Sequence, residues 1–141
     1  MFNQILLAAD GSDASAAAVA TAIGLAREQR AQLLVVHVVD VYAMYFATPE
    51  SIDFLVAAGE GILKAVQDQA LQSGVVAHTK LLQSDVGGRH ISELIIDESN
   101  AWPADLVIIG SHGRRGLNHF LIGSVAEGVC QRARTPVLLS R

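Results

Sequence analysis

The stretch "ADLVIIGSHGRRGLNHFLIGS", Ala104 to Ser124, decides the fold. Its first seven residues read as a strand buried on both faces, because such strands run continuously apolar instead of alternating. The chain then enters a segment punctuated by glycine, arginine and polar groups, and a helix opens at Gly123-Ser124. A strand-to-helix connection in an α/β unit usually takes about 2–6 residues, and much longer ones tend to be functional or disordered. This connection is long and ends on a helix start, so it is built to hold something.

Outward from that stretch, strand and helix alternate. Downstream, "SVAEGVCQRAR" reads as the fourth helix and "TPVLLS" as a short last strand. Upstream, "GGRHISELIIDESN" is a third helix with Ile91, Leu94 and Ile95 facing inward, and "VVAHTKLLQ" alternates partly, as a strand near a sheet edge does. The second helix starts at Thr48-Pro49-Glu50, a cap, a first-turn proline and a first-turn acid. It carries Ile52, Leu55, Val56, Ile62, Leu63 and Val66 at helical spacing, is weakened at Gly59 and Gly61, and stops at Ser73-Gly74. "QILLAA" and "QLLVVHVV" are the first two strands, and "DVYAMYFATPE" is an irregular connection. The first helix has Ser12 or Asp13 as N-cap and Val19, Ile23 and Ala26 on one face. This alternation implies an α/β fold, a doubly wound, mostly parallel sheet.

Composition agrees. The chain has 141 residues, enough for one domain with an ordinary core. Apolar residues make up 51% and charged residues 17%, so the chain packs rather than staying disordered. The mean hydropathy of +0.38 is high, yet no apolar run approaches the roughly 18–20 residues of a membrane span. A net charge of −4 argues against a nucleic-acid surface. Cys130 is the one cysteine; it falls on what reads as an apolar helix face, so a packing role is expected. "MFNQILLAAD" enters a strand directly, without a basic leader or cleavage site, so the expected location is cytoplasmic.

Sheets of this kind bind ligands outside the carboxyl ends of their strands. The polar residues there are Asp10-Gly11-Ser12, Asp40, Ser84-Asp85 and the long loop. If strands one and four are neighbours, Asp10 and Gly110 flank one crevice. Gly110 and Gly113 let backbone approach a ligand closely. Gly123-Ser124 opens a helix whose first amides are unpaired donors, a ready phosphate site, and Arg114 and Arg115 add charge beside it.

Each feature also has a structural explanation. Ser124-x-x-Glu127 is a capping box that satisfies the helix end by itself. The arginines can be solvated surface, and Asp10 can cap the first helix through its turn. His37 sits in a central-looking strand, where a packed, hydrogen-bonded ring is commoner than a catalyst, and His112 and His119 lie in the loop. The familiar phosphate loops are excluded: the only lysines are Lys64 and Lys80, neither in a glycine loop, and no dinucleotide fingerprint follows strand one. No metal-ligand spacing or nucleophile elbow exists.

"ILLAADGS", "LLVVHVVD", "ADLVIIGSHGRRGLNHFLIGSVAEGV" and "TPVLLSR", in that order, resemble the universal stress protein family over essentially the whole chain. The most specific part is G-x-x-G, nine residues, G-[ST], filled by Gly110, Gly113, Gly123 and Ser124. The resemblance implies one nucleotide-binding domain over residues 1–141, with five parallel strands in the order 3-2-1-4-5 and about four helices. It also implies the family's ATP-binding branch. Asp10 would hold the ribose or adenine end, Ala8 would line the adenine pocket, and Val38 would offer its backbone to the base. Ile109 and Gly110 would flank base and sugar. Gly113, Gly123, Ser124 and Val125 would cradle the phosphates, with Arg114 beside them. Mg or Mn would ride on phosphate oxygens and water, with no ligand from the protein. Ala8-Ala9 stands where some ATP binders have proline-threonine.

The resemblance further implies a homodimer through the last strand, Pro136 to Ser140, an apolar edge that invites pairing. The leading expectation is thus a dimeric ATP-binding stress or signalling module with an unidentified protein partner. A slow ATPase or adenylate-handling enzyme is a second reading, set back by the lack of a convincing general base or phosphate-side lysine. A nucleotide-free dimeric interaction module is a third.

Overall fold

The continuous apolar runs form the strands of one sheet. The computed structural model describes residues 1–41, 48–84, 90–112 and 122–141. Within them lie β1 (Gln4–Ala8), α1 (Asp13–Gln29), β2 (Gln32–Val39), α2 (Pro49–Gln72), β3 (Ala77–Gln83), α3 (Ile91–Ala101), β4 (Leu106–Gly110), α4 (Ser124–Arg132) and β5 (Val137–Ser140). The strands are parallel in the order β3-β2-β1-β4-β5, as the family resemblance implies.

β1 sits in the middle, with Leu7 registered between Val35 of β2 and Ile108 of β4. Its side chains alternate between two cores. Ile5, Leu7 and Ala9 join α1 and α2 on one face, while Leu6 and Ala8 join residues of α3 and α4 on the other. Both faces are covered, which is why the central strands read as unbroken apolar runs. β3 and β5 are the edges and carry more exposed residues. β5 begins after Pro136, whose carbonyl still accepts from the Val107 amide at 3.0 Å.

The helix ends follow local chemistry. Ser12 is the N-cap of α1, its side chain accepting from the Ser15 amide. α2 opens with Thr48 and Ser51 bonded reciprocally, Pro49 at its start. Val19, Ile23 and Ala26 are buried as expected, and in α2 Leu63 and Val66 are buried whereas Ile52, Leu55 and Val56 stay half-buried. In α3 the inward face is Ile95 and Ile96, with Leu94 half-buried. Cys130 is exposed, which overturns its packing role. α4 buries Ala126, Gly128 and Val129, and the helical step of about 100° past Val129 turns Cys130 to solvent. Among the described residues, no helix is long and apolar enough to cross a membrane.

Candidate functional site

The carboxyl ends of β1, β2 and β4 lie side by side, with Ala8 opposite Val36 on one flank and Ile109 on the other. Ala8 and Ile109 are buried in the α3–α4 core, and Val38 and Val125 pack partly buried against the same cluster. Four residues expected at the site, from four different elements, therefore share one apolar patch.

Asp10 lies just beyond it. Ser12 donates its backbone N–H to Asp10 Oδ1 at 2.8 Å, and the Asp10 amide donates to Ser15 Oγ at 3.0 Å. Gly11 between them has φ +81°, a conformation that favours glycine. Asp10 thus braces Ser12, the residue that caps α1, and this holds its carboxylate at the carboxyl end of β1 beside the start of α1. Ser15, buried and three residues past the N-cap, was missed from the sequence; a second hydroxyl in a capping turn was the only signal.

Gly110 has a packing reason of its own. A Cβ there would lie 3.0 Å from the Ala14 carbonyl carbon, 3.1 Å from its oxygen and 3.2 Å from the Ser15 amide. The close neighbour that its lack of a side chain admits is the first turn of α1.

The base of the long loop is closed. Gly123 donates its amide to the Ser111 carbonyl at 2.6 Å, and Ser111 donates its own to the Ser140 carbonyl at 2.7 Å. Ser111 Oγ pairs with His112 Nδ1 at 3.0 Å, while His112 Nε2 is buried without a hydrogen-bond partner among the described residues. Gly113, Arg114, Arg115 and His119 lie outside the described residues.

The expected capping box does not form. Gly123 is the N-cap of α4, with no side-chain cap, and exposed Ser124 is already the first helical residue. This shift puts Ala126 at the third position, where a glutamate would be needed to close the box. Among the described residues, therefore, no side chain caps the first-turn amides of α4, which lie at the positive end of the helix dipole.

Elsewhere along the edge, Ser84 Oγ donates to Asp40 Oδ1 at 3.1 Å and accepts from the Val41 amide at 2.8 Å, which joins the ends of β2 and β3. At the opposite end of the sheet a hollow of about 370 Å³ is lined in part by Arg27, Arg30 and His78. Its basic residues have a local explanation: α1 ends there, and arginines complement the negative end of its dipole.

The Universal stress protein family profile matches residues 1–141. A universal stress protein of Methanocaldococcus jannaschii is 34% identical over 144 residues, covering 99% of this chain and 82% of that protein. Among solved structures, a universal stress protein family member from Burkholderia pseudomallei has 28% identity and a TM-score of 0.78, with 97% of this chain and 94% of that chain covered. The universal stress protein of Archaeoglobus fulgidus in complex with dAMP has a TM-score of 0.75 at 22% identity, over 99% and 98% of the two chains. A universal stress protein in complex with cAMP is equally similar, with a TM-score of 0.75 at 22% identity over 99% and 97%. A profile spanning the whole chain, and a relative more than 30% identical along nearly all of it, lead to one conclusion: this chain belongs to the universal stress protein family.

Proposed function

We propose that residues 1–141 form one nucleotide-binding domain of the family's ATP-binding branch, acting as a dimeric stress-response module in the cytoplasm. The observation that carries this reading is the uncapped first turn of α4 on the same sheet edge as the Asp10 turn and the apolar patch of Ala8, Val38 and Ile109. An apolar seat suits a base, a carboxylate suits ribose hydroxyls, and unpaired helix amides suit phosphate.

In this reading Ala8 and Ile109 seat the adenine, Val38 meets its edge by backbone, and Asp10 holds the ribose. Gly110 supports the sugar side through its packing under α1. Gly113, Gly123, Ser124 and Val125 surround the phosphates, and Arg114 adds charge. Mg or Mn is carried by phosphate oxygens and water; among the described residues no cluster of three or more His, Cys, Asp or Glu side chains could hold a metal. The dAMP- and cAMP-bound relatives support a nucleotide, and the ATP preference rests on the glycine-loop spacing. The lysines lie on α2 and β3, so none comes from the phosphate loop, which favours binding over hydrolysis.

The test is direct. Purified protein is denatured and its supernatant chromatographed for ATP, ADP and AMP, and the emptied protein is titrated with ATP. Retained ATP is expected; no retained nucleotide together with no thermal shift on adding ATP defeats the reading. Gly113→Val, which crowds the loop, is expected to weaken ATP binding at least about tenfold, or about 1.4 kcal/mol, with the circular dichroism unchanged. Unchanged affinity would remove the loop from the site.

The dimer is proposed through Pro136–Ser140, the strand pairing antiparallel with its copy; an unidentified protein partner reads the assembled state. β5 has β4 on one side only, and Leu139 is 39% exposed. Sedimentation equilibrium is expected to give a dimer at micromolar concentration, and a monomer throughout that range contradicts the proposal.

A further inference from the structure

In a parallel ladder, alternate residues of a strand bond to one neighbour and the intervening residues to the other. Here Gln32 donates its amide to the Asn3 carbonyl and Ala9 donates to Val36, each at 2.9 Å. Even-numbered residues of β2 thus face β1, while the Ser84–Val39 bond of 3.0 Å shows that odd-numbered ones face β3. The Val38 amide therefore points toward β1, where an uninterrupted ladder would give it the Ala9 carbonyl.

That bond is not made: the β1–β2 pairing ends at Ala8 opposite Val36. The Ala9 carbonyl is instead 2.8 Å from His37 Nδ1. A carbonyl can only accept, so Nδ1 carries the hydrogen and donates it. α2 makes room for the ring. A Cβ on Gly59 would lie 2.7 Å from His37 Cδ2, 3.2 Å from its Nε2 and 2.7 Å from Leu81 Cδ1. A glycine in mid-helix costs up to about 1 kcal/mol relative to alanine, and this seat explains why one stands there.

We infer that His37 is a positioning residue: by taking the Ala9 carbonyl it stops the ladder one bond early and leaves the Val38 amide for a ligand's acceptor atom. The inference rests on the nucleotide reading above and deepens it. A backbone donor without a partner gains by meeting an acceptor, and this one opens beside Ala8 and Ile109. A base edge whose ring nitrogen accepts, as adenine N1 does, is the chemistry it selects. His37 itself needs no contact with the ligand.

The experiment is amide hydrogen exchange by NMR on nucleotide-free protein, with AMP titrations alongside. In the wild type Val38 is expected to exchange at least about tenfold faster than Val36, and to slow when AMP is added. His37→Phe removes the donor and returns the Ala9 carbonyl to Val38. Val38 exchange is then expected to slow about tenfold without ligand, while AMP binding weakens by a similar factor. His37→Gln keeps an N–H within reach of the carbonyl and is expected to move both readouts back toward the wild type, which a merely space-filling role for the ring would not produce. The inference is overturned if wild-type Val38 is as protected as Val36, or if His37→Phe leaves Val38 exchange unchanged. Failure of wild-type protein to bind either AMP or ATP would instead remove the nucleotide reading, and the exchange comparison would still decide whether His37 holds the ladder open.

Discussion

Truncating Leu7 to alanine is expected to lower the unfolding free energy by about 2–5 kcal/mol, the cost of a buried leucine cavity that cannot collapse. Leu7 is fully buried on the middle strand, between Val35 and Ile108, under α1 and α2. Neither flanking strand can move in without breaking its own register, so the void persists. The melting temperature is expected to fall by roughly 10 °C. Leu71→Ala is the matched control: it deletes the same atoms from a side chain 64% exposed near the end of α2, and the expected change is within about 0.5 kcal/mol. Urea unfolding of the two variants checks the pair. Equal losses would mean that β1 is not the buried centre of the sheet.

Gly110→Val is expected to cost about 3 kcal/mol and to abolish nucleotide retention in the same protein. The atoms a side chain would meet there belong to the Ala14 and Ser15 backbone, which cannot rotate away as a side-chain tip can. The first turn of α1 must lift, and the Asp10–Ser12–Ser15 hydrogen bonds lift with it. A lower urea midpoint together with loss of bound nucleotide is the expected result. Full stability would show that β4 does not end against α1.

Much of this was readable from residues alone, for physical reasons. Strands buried on both faces announce themselves as unbroken apolar runs, which is how "LVIIG" and "LLVVHVV" declared a covered parallel sheet. Strand order has no comparable local signal; 3-2-1-4-5 entered with the family resemblance. Ser12 was one of two candidate caps, and Ser124 with Glu127 fitted the capping pattern equally well. The first helix begins as expected and the fourth one residue earlier than a Ser124 cap predicts, because glycine at position 123 is itself an acceptable N-cap. The sequence singles out Asp10 and Gly110 as candidate site residues, but their partners come from tertiary approach. Nothing near Gly110 in sequence says that Ala14 lies against it, and nothing near His37 says that it meets the Ala9 carbonyl. Cys130 failed for a simpler reason: in a nine-residue helix one step of rotation separates core from solvent.

Ser111 has a mechanical consequence. Its carbonyl holds Gly123 at the root of the glycine loop, and its amide holds Ser140, the last residue of the outermost strand. The two attachments act in series through a single residue, so a force that drags the loop root is transmitted to the rim of the sheet within two hydrogen bonds.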